Sequence, residues 1–417
     1  MPSLLAGRYT SAHAISQLMT RRTLVALALL PLVCSAKDLP KAPPVADSLK
    51  PFVDSKTIAG AVTLVVGKDK VLSLEIVGVR DLKSPSPMPE NAMFWIASMT
   101  KPMTAMALMM LVEEGKLSID DPVEKHLPEF KGQMLIEEKT PERVVLKKPS
   151  RLITIKDLLT HSSGLLGKSP LDGEAIDVLT LREAVYSYAL SPLQFEPGSK
   201  WSYCNPGINT LGRLIEVASG MDYAKFMEKR LFNPLRMKNT TFWPSKAQQA
   251  RLATSYKSTA DNQGLEETTI KYLSGDLSDR KRMPLPAGGL FSCAEDLARI
   301  YQMVLNGGLL NGRRYLKEET LKLMTTSQLG DMKVSFADGM NMGLGFHIVN
   351  TPMGVTEALS PGSFGHGGAY GTQAWIDPVR GLAIVLLIQR AGLPNSDQSE
   401  MRAALQKRAV EVFGSKD

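Results

Sequence analysis

The run Phe94-Trp95-Ile96-Ala97-Ser98-Met99-Thr100-Lys101 constrains this chain more than any other stretch, because it opens directly into a long apolar helix. Ala105 to Val112 is apolar at every position. A helix that is apolar all round belongs inside a large core, and Gly115 suits its C-terminal stop. Ser98 and Lys101 stand three residues apart at the start of that helix, and so on one face. A serine hydroxyl is a weak nucleophile until an adjacent base takes its proton. A lysine with a pKa lowered by burial can be that base. The unpaired N–H groups of a helix start favour the negative charge that would develop there. Four residues of Ser-x-x-Lys alone also describe a helix N-cap and a solvated lysine; the buried continuation is the feature that favours chemistry.

A chain of 417 residues is long enough for two domains, and 44% hydrophobic with 22% charged residues describes an ordinary globular protein. The net charge of +7 comes from scattered residues with no compact basic block, which reads as solvated surface and argues against a nucleic-acid partner. Cys34, Cys204 and Cys293 give neither a disulfide framework nor metal spacing. With five histidines and no His-x-x-x-His or Cys-x-x-Cys pair, no metal and no cofactor is expected.

The N-terminal region reads as a targeting segment. Arg21-Arg22 precede an apolar run from Leu24 to Cys34, which ends in small residues at Ser35-Ala36. A basic start, a short apolar core and a small-residue end describe a secretory signal, and the paired arginines resemble a twin-arginine export signal. Residues 1–37 are therefore expected to be an export signal, with Met19 an alternative start. The mature protein would be periplasmic or secreted, without stable membrane insertion. Val33 stands where a lipoprotein needs a small residue before Cys34.

Beyond it, Asp38 to Pro51 reads as a linker, and Gly60 to Val66 and Val71 to Val79 as a hairpin turning at Gly67-Lys68-Asp69-Lys70. Lys131 to Ser150 is charged and poorly periodic, a surface excursion. His161 reads as a structural residue bonding backbone in a tight turn. Tyr203 and Asn205 come after the Pro197-Gly198 turn and precede an amphipathic helix from Ile208 to Ser219. A tyrosine beside a lysine can shuttle a proton, and an asparagine offers amide groups to substrate or to Lys101. Taken singly, the two would be a packed aromatic and a turn former. Pro284 to Ser292 is a Gly-rich turn that lacks the basic residue of a phosphate loop and is assigned to backbone packing. Phe364-Gly365-His366-Gly367-Gly368-Ala369 leads into strands Gln373 to Ile376 and Leu382 to Gln389, and the chain closes with a helix from Gln398 to Phe413. The glycines either let a substrate approach the strand edge or permit a bulge.

Together these residues resemble the serine β-lactamase and penicillin-binding-protein superfamily, most of all its class C-like branch with family VIII carboxylesterases and D,D-peptidases. Ser98-Met99-Thr100-Lys101 is similar to the first motif. Tyr203-Cys204-Asn205 is similar to the Tyr-x-Asn motif, with cysteine in the usual serine place, and His366-Gly367-Gly368 to the third motif. The resemblance implies an α/β (α+β) fold, with a mainly antiparallel sheet flanked by helices beside a largely helical region. The sheet domain would take residues 38–97 and 281–417, and the helical one residues 98–280.

The implied chemistry is acyl transfer to small-molecule esters, amides or lactams. Ser98 attacks, Lys101 and Tyr203 move protons, the N–H groups of Ser98 and Ala369 hold the oxyanion, and Asn205 and His366 orient substrate, on a strand carrying Gly367 and Gly368. Lysine and tyrosine titrate as a pair, so either is a candidate base. His366 replaces the lysine that helps efficient lactamases bind a carboxylate. That shifts expectation toward a carboxylesterase or D-amino-acid amidase/peptidase, ahead of a class C-like β-lactamase. The rival from another class is a catalytically silent penicillin-binding sensor or scaffold.

Overall fold

Alternating β-branched runs from the two ends of the described chain close one antiparallel sheet. The computed structural model describes residues 44–334 and 336–414, so the expected export segment over residues 1–37 lies outside the described residues. The strands are β1 (Gly60–Val66), β2 (Val71–Gly78), β3 (Met340–Met342), β4 (His347–Val349), β5 (Phe364–Gly367), β6 (Gln373–Asp377) and β7 (Leu382–Leu387). Their order in the sheet is β3-β4-β5-β6-β7-β1-β2, every pair antiparallel. The expected hairpin is β1–β2.

Period two sends neighbouring residues of a strand to opposite faces. One face carries Val62, Leu64, Ala383, Val385, Ala374 and Phe364 into the main core. The other buries Ala61, Val65, Ile384, Leu386 and Trp375 in a second core. The helices that position the site are α1 (Thr100–Glu113), α2 (Leu181–Ala189), α3 (Asn205–Ser219), α4 (Ala294–Leu305) and α5 (Glu400–Phe413). Residues of α1, α2, α3 and α4 share the first core, and α5 covers the second. Every residue of α1 from Thr100 to Leu111 is buried, as its apolar run requires. Each such Leu or Met contributes roughly 2 kcal/mol of burial. Gly115, at φ +70°, ends that segment. Among the described residues no helix is long and apolar enough to cross a membrane.

One expectation fails here, and a second gains detail. The supposed linker Asp38 to Pro51 contains helical turns over Ala46–Leu49 and Lys50–Asp54. Val45, Ala46 and Leu49 are buried, the first and last against the α5 side of the sheet. Pro51 is tolerated because it falls in the first helical turn, where its missing N–H has no intrahelical acceptor. The excursion Lys131 to Ser150 contains a two-stranded hairpin, Leu135–Lys139 with Val144–Lys147. Its charged residues hid a pairing that is mostly exposed on both faces.

Candidate active site

Backbone pairing brings Ser98 to its place. The short strand Phe94–Trp95 pairs with Phe291–Ser292, and the Ile96 N–H donates to Leu290 O at 3.0 Å. Ala97 then takes φ +45°, a left-handed conformation that disfavours a side chain by roughly 1–2 kcal/mol. The chain turns through a 3₁₀ segment, Ala97–Met99, directly into α1. Thr100 fastens that turn by donating its hydroxyl to Ala97 O at 2.7 Å. Ser98 is thus held half-buried at a helix entrance.

Lys101 Nζ lies 2.9 Å from Ser98 Oγ and donates to Ala287 O at 2.6 Å. Its side chain is wholly buried, and burial drives its pKa well below the usual lysine range, opposed by the Cys204 and Asp397 groups. Tyr203 donates its hydroxyl to Ser98 Oγ at 2.8 Å. Burial pushes this phenol in the opposite sense, upward, with the bond to Ser98 working against it. Both groups are thereby favoured in their neutral forms. The buried Cys204 thiol is pushed up to about 12 and stays protonated.

The Tyr203 loop is fixed by His161, as its sequence setting suggests. Nδ1 of His161 accepts the Cys204 N–H at 3.1 Å, and its carbonyl accepts the Ser202 N–H at 2.9 Å. Asn205 begins α3 and lines the cleft, but it makes no hydrogen bond to Lys101. Ala369 also faces the cleft, and neither its N–H nor that of Ser98 has a backbone partner among the described residues.

His366, Gly367 and Gly368 are placed otherwise. His366 is 3% exposed, its Nδ1 donates to Gly367 O at 2.7 Å, and its ring centre is 6.2 Å from that of Tyr203. Strand alternation turns it to the same face as Phe364, and it is not among the residues that line the cleft. The glycines permit close packing. A Cβ on Gly368 would stand 2.7 Å from Ile96 O, and one on Gly367 would strike the Asp397 carboxylate. They let β5 close on the Ser98 turn.

Above Ser98 opens a cleft of about 500 Å³. Trp95, Ile176, Tyr188, Tyr272 and Leu285 give it an apolar and aromatic wall. The basic residues lining it, Lys168 and Lys271, are accompanied by Asp172 and Glu174. No group of three or more metal-ligating side chains occurs among the described residues. Sequence reasoning missed Ala287 and Asn209. A backbone carbonyl leaves no mark in a residue's identity. Asn209, four residues beyond Asn205 on the same helix face, had a signal in its spacing.

Known proteins share both this sequence pattern and this fold. Residues 45–409 match the Beta-lactamase family. An uncharacterised protein of Mycobacterium tuberculosis is 32% identical over 82% of this chain and 88% of its own length. Esterase EstB of Burkholderia gladioli is 27% identical over 81% of this chain and 87% of its own. In structure, the fold is similar to EstCE1, described as a hydrolase with promiscuous acyltransferase activity. The TM-score is 0.73 at 24% identity, over 89% of this chain and 97% of the other. The chain belongs to the beta-lactamase family, within the superfamily of serine hydrolases and penicillin-binding proteins.

Proposed function

We propose that this serine hydrolase works through an acyl-enzyme on Ser98 and acts as a carboxylesterase, with D-amino-acid amides or peptides its next class of substrate. One observation carries the reading: a serine oxygen within 3 Å of a buried amine and a phenol, at the floor of an apolar cleft.

Burial favours the neutral amine and the neutral phenol, so Lys101 is the base and Tyr203 the acid. The Ser98 proton passes to Lys101 Nζ as Oγ bonds to the substrate carbonyl carbon. The resulting oxyanion is received by the N–H groups of Ser98 and Ala369, and such a donor is typically worth about 3 kcal/mol. Tyr203 gives its proton to the leaving oxygen as the tetrahedral carbon expels it. The proton held on Lys101 restores the phenol. Water, deprotonated by the same pair, then releases the acid from Ser98. Asn205, on the cleft wall, is placed to orient the substrate. The apolar and aromatic wall favours an uncharged ester over a carboxylate-bearing lactam.

The experiment offers the purified protein a short-chain p-nitrophenyl ester, a chromogenic cephalosporin and a D-Ala-D-Ala peptide, with intact-mass detection of acylated Ser98. The ester should turn over fastest. A dominant cephalosporin rate would make it a β-lactamase, and acylation without release would make it a sensor. Export is a second part of the proposal: the N-terminal Arg-Arg and apolar run support it. Fractionation of expressing cells should recover a shortened chain outside the cytoplasm. A full-length cytoplasmic product would refute it.

A further inference from the structure

Lys101 Nζ has two polar neighbours, Ser98 Oγ and the Ala287 carbonyl, and the second comes from a turn 186 residues further along the chain. A carbonyl aims where its peptide plane aims. Whatever fixes the backbone at Ala287 therefore fixes the amine.

Two side chains grip that backbone. The peptide unit joining Pro286 to Ala287 is held at both of its polar ends. Its carbonyl accepts the Thr104 hydroxyl at 2.8 Å, and its N–H donates to Asn209 Oδ1 at 3.0 Å. The next unit is held as well, since the Gly288 N–H donates to Leu285 O at 3.1 Å. Asn209 is itself locked, donating Nδ2 to the Tyr188 hydroxyl at 3.1 Å. Tyr223 lies 2.6 Å from the Thr104 hydroxyl. Asn209, Thr104 and Ala287 are all buried, so water cannot substitute for these bonds at little cost. Gly212, one turn further along α3, has no room for a Cβ beside Pro286, and this lets the helix carrying Asn209 press against the turn. These contacts have a chemical consequence. A neutral amine has two N–H groups and one lone pair. With one N–H engaged by Ala287 O, the lone pair can face the Ser98 hydroxyl.

We propose that Asn209 is a positioning residue for acylation: by gripping the Pro286–Ala287 peptide it holds the Ala287 carbonyl against Lys101 Nζ and so turns the amine onto Ser98. The proposal rests on Ser98 and Lys101 being nucleophile and base, and its experiment separates the two readings. The second-order rate of Ser98 labelling by a fluorophosphonate is followed against pH for the full chain and for Asn209→Leu, Asn209→Asp and Thr104→Val.

Asn209→Leu is nearly isosteric and removes the acceptor. It should label to full stoichiometry but about 10- to 100-fold more slowly, the scale of a misplaced reacting group. Its ascending pH limb should move to lower pH, because the ammonium loses a carbonyl acceptor. Asn209→Asp keeps an oxygen for the Ala287 N–H and should recover most of the rate. A wild-type rate and pH midpoint in Asn209→Leu overturns the proposal. So does a fall in labelled fraction with no change in rate, which would mean a purely structural role. Should Asn209→Leu fail to fold, Thr104→Val releases the other end of the same peptide and must slow labelling; a wild-type rate there overturns the proposal equally. Wild-type protein that does not label at all refutes the nucleophile reading instead.

Discussion

The two sides of the Tyr203 ring are built on opposite plans. On the cleft side, Ser98 Oγ is hydrogen-bonded both to Lys101 Nζ and to the phenol, and Lys101 Nζ onward to Ala287 O. Behind the ring lie His161, with ring centres 4.7 Å apart, and His366, whose own ring is 4.7 Å from His347. There the polar atoms are largely unmatched. His161 Nε2, His366 Nε2, both nitrogens of His347, Asp397 Oδ1 and Arg402 Nη2 have no hydrogen-bond partner among the described residues. Burial pushes all three histidines down, His347 to about 3 with Arg402 and Lys101 adding repulsion, and His161 and His366 well below the ordinary range with Lys101 and neighbouring histidines adding repulsion. Burial also pushes the Asp397 carboxyl up. In the proposed mechanism the contrast sets proton traffic at the front of the ring against imidazoles held neutral at the rear, beside the Arg402 guanidinium. A positive histidine behind Tyr203 would favour phenolate and disfavour a second cation at Lys101.

The largest effects should come from breaking the front. Ser98→Ala should abolish acylation, and Lys101→Met, which keeps the bulk and removes the amine, should lower kcat/KM by on the order of 10⁴-fold. In wild type the rate should rise with pH as Lys101 loses its proton in the folded state, along one ascending limb. Initial-rate kinetics between pH 5 and pH 9 measure it. A Lys101→Met enzyme within tenfold of wild type would remove the amine from the mechanism. Tyr203→Phe should cost less, about 10²-fold, since the leaving group can still take a proton from water. Its loss should grow as the leaving group becomes more basic, measurable by comparing nitrophenyl with alkyl esters. Equal losses for both would mean the phenol does not protonate the leaving oxygen.

Legibility in the sequence depends on the kind of atom that does each job. In the proposed mechanism Ser98, Lys101 and Tyr203 act through side chains, whose identities and spacing the sequence states directly, and the three converge. The β1–β2 hairpin is legible because β-branched runs flank a Gly-Lys-Asp-Lys turn. The Ala287 carbonyl is not, because every residue has one and only tertiary packing aims it at Lys101. The third motif names His366 but not its burial: the pleat of β5 sets it on the face of Phe364, and pleat phase is set by partners that a local motif does not contain. The helical turns from Ala46 to Asp54 are hidden by prolines, although Val45 and Leu49 bury themselves fully.

Breaking the rear should show first in stability. His347 binds no proton in the folded state until about pH 3, whereas an unfolded histidine binds one near pH 6.5. The unfolded chain therefore holds more protons between those values, and stability falls as pH falls, by about 1.4 kcal/mol per unit for each such residue. Lys101, its pKa lowered by burial, adds a slope of the same sign above its folded-state pKa, and Asp397, its carboxyl pushed up, one of the opposite sign. The difference between wild type and His347→Leu isolates one histidine. The variant should lose about 2 kcal/mol less than wild type between pH 6.5 and pH 5 in urea unfolding. Parallel slopes would mean that His347 gains its proton without unfolding.

The smallest effect expected is the one that best distinguishes backing from binding. His366 meets the Tyr203 ring from behind and ties its own Nδ1 to Gly367 O, so it can influence acylation only through packing. His366→Gln keeps an N–H donor near that carbonyl and should lower ester kcat/KM by less than tenfold. Because the residue does not line the cleft, the ratio of ester to cephalosporin rates should stay within about threefold of wild type. The ascending pH limb should not move either, since burial pushes the ring's pKa well below the ordinary histidine range and disfavours any charge there that Lys101 would feel. A tenfold change in the substrate ratio with the pH limb unmoved would bring His366 to the substrate. A moved limb with the ratio unchanged would show that the rear of the ring takes part in setting the charge on Lys101, and the division between the two sides of Tyr203 would have to be redrawn.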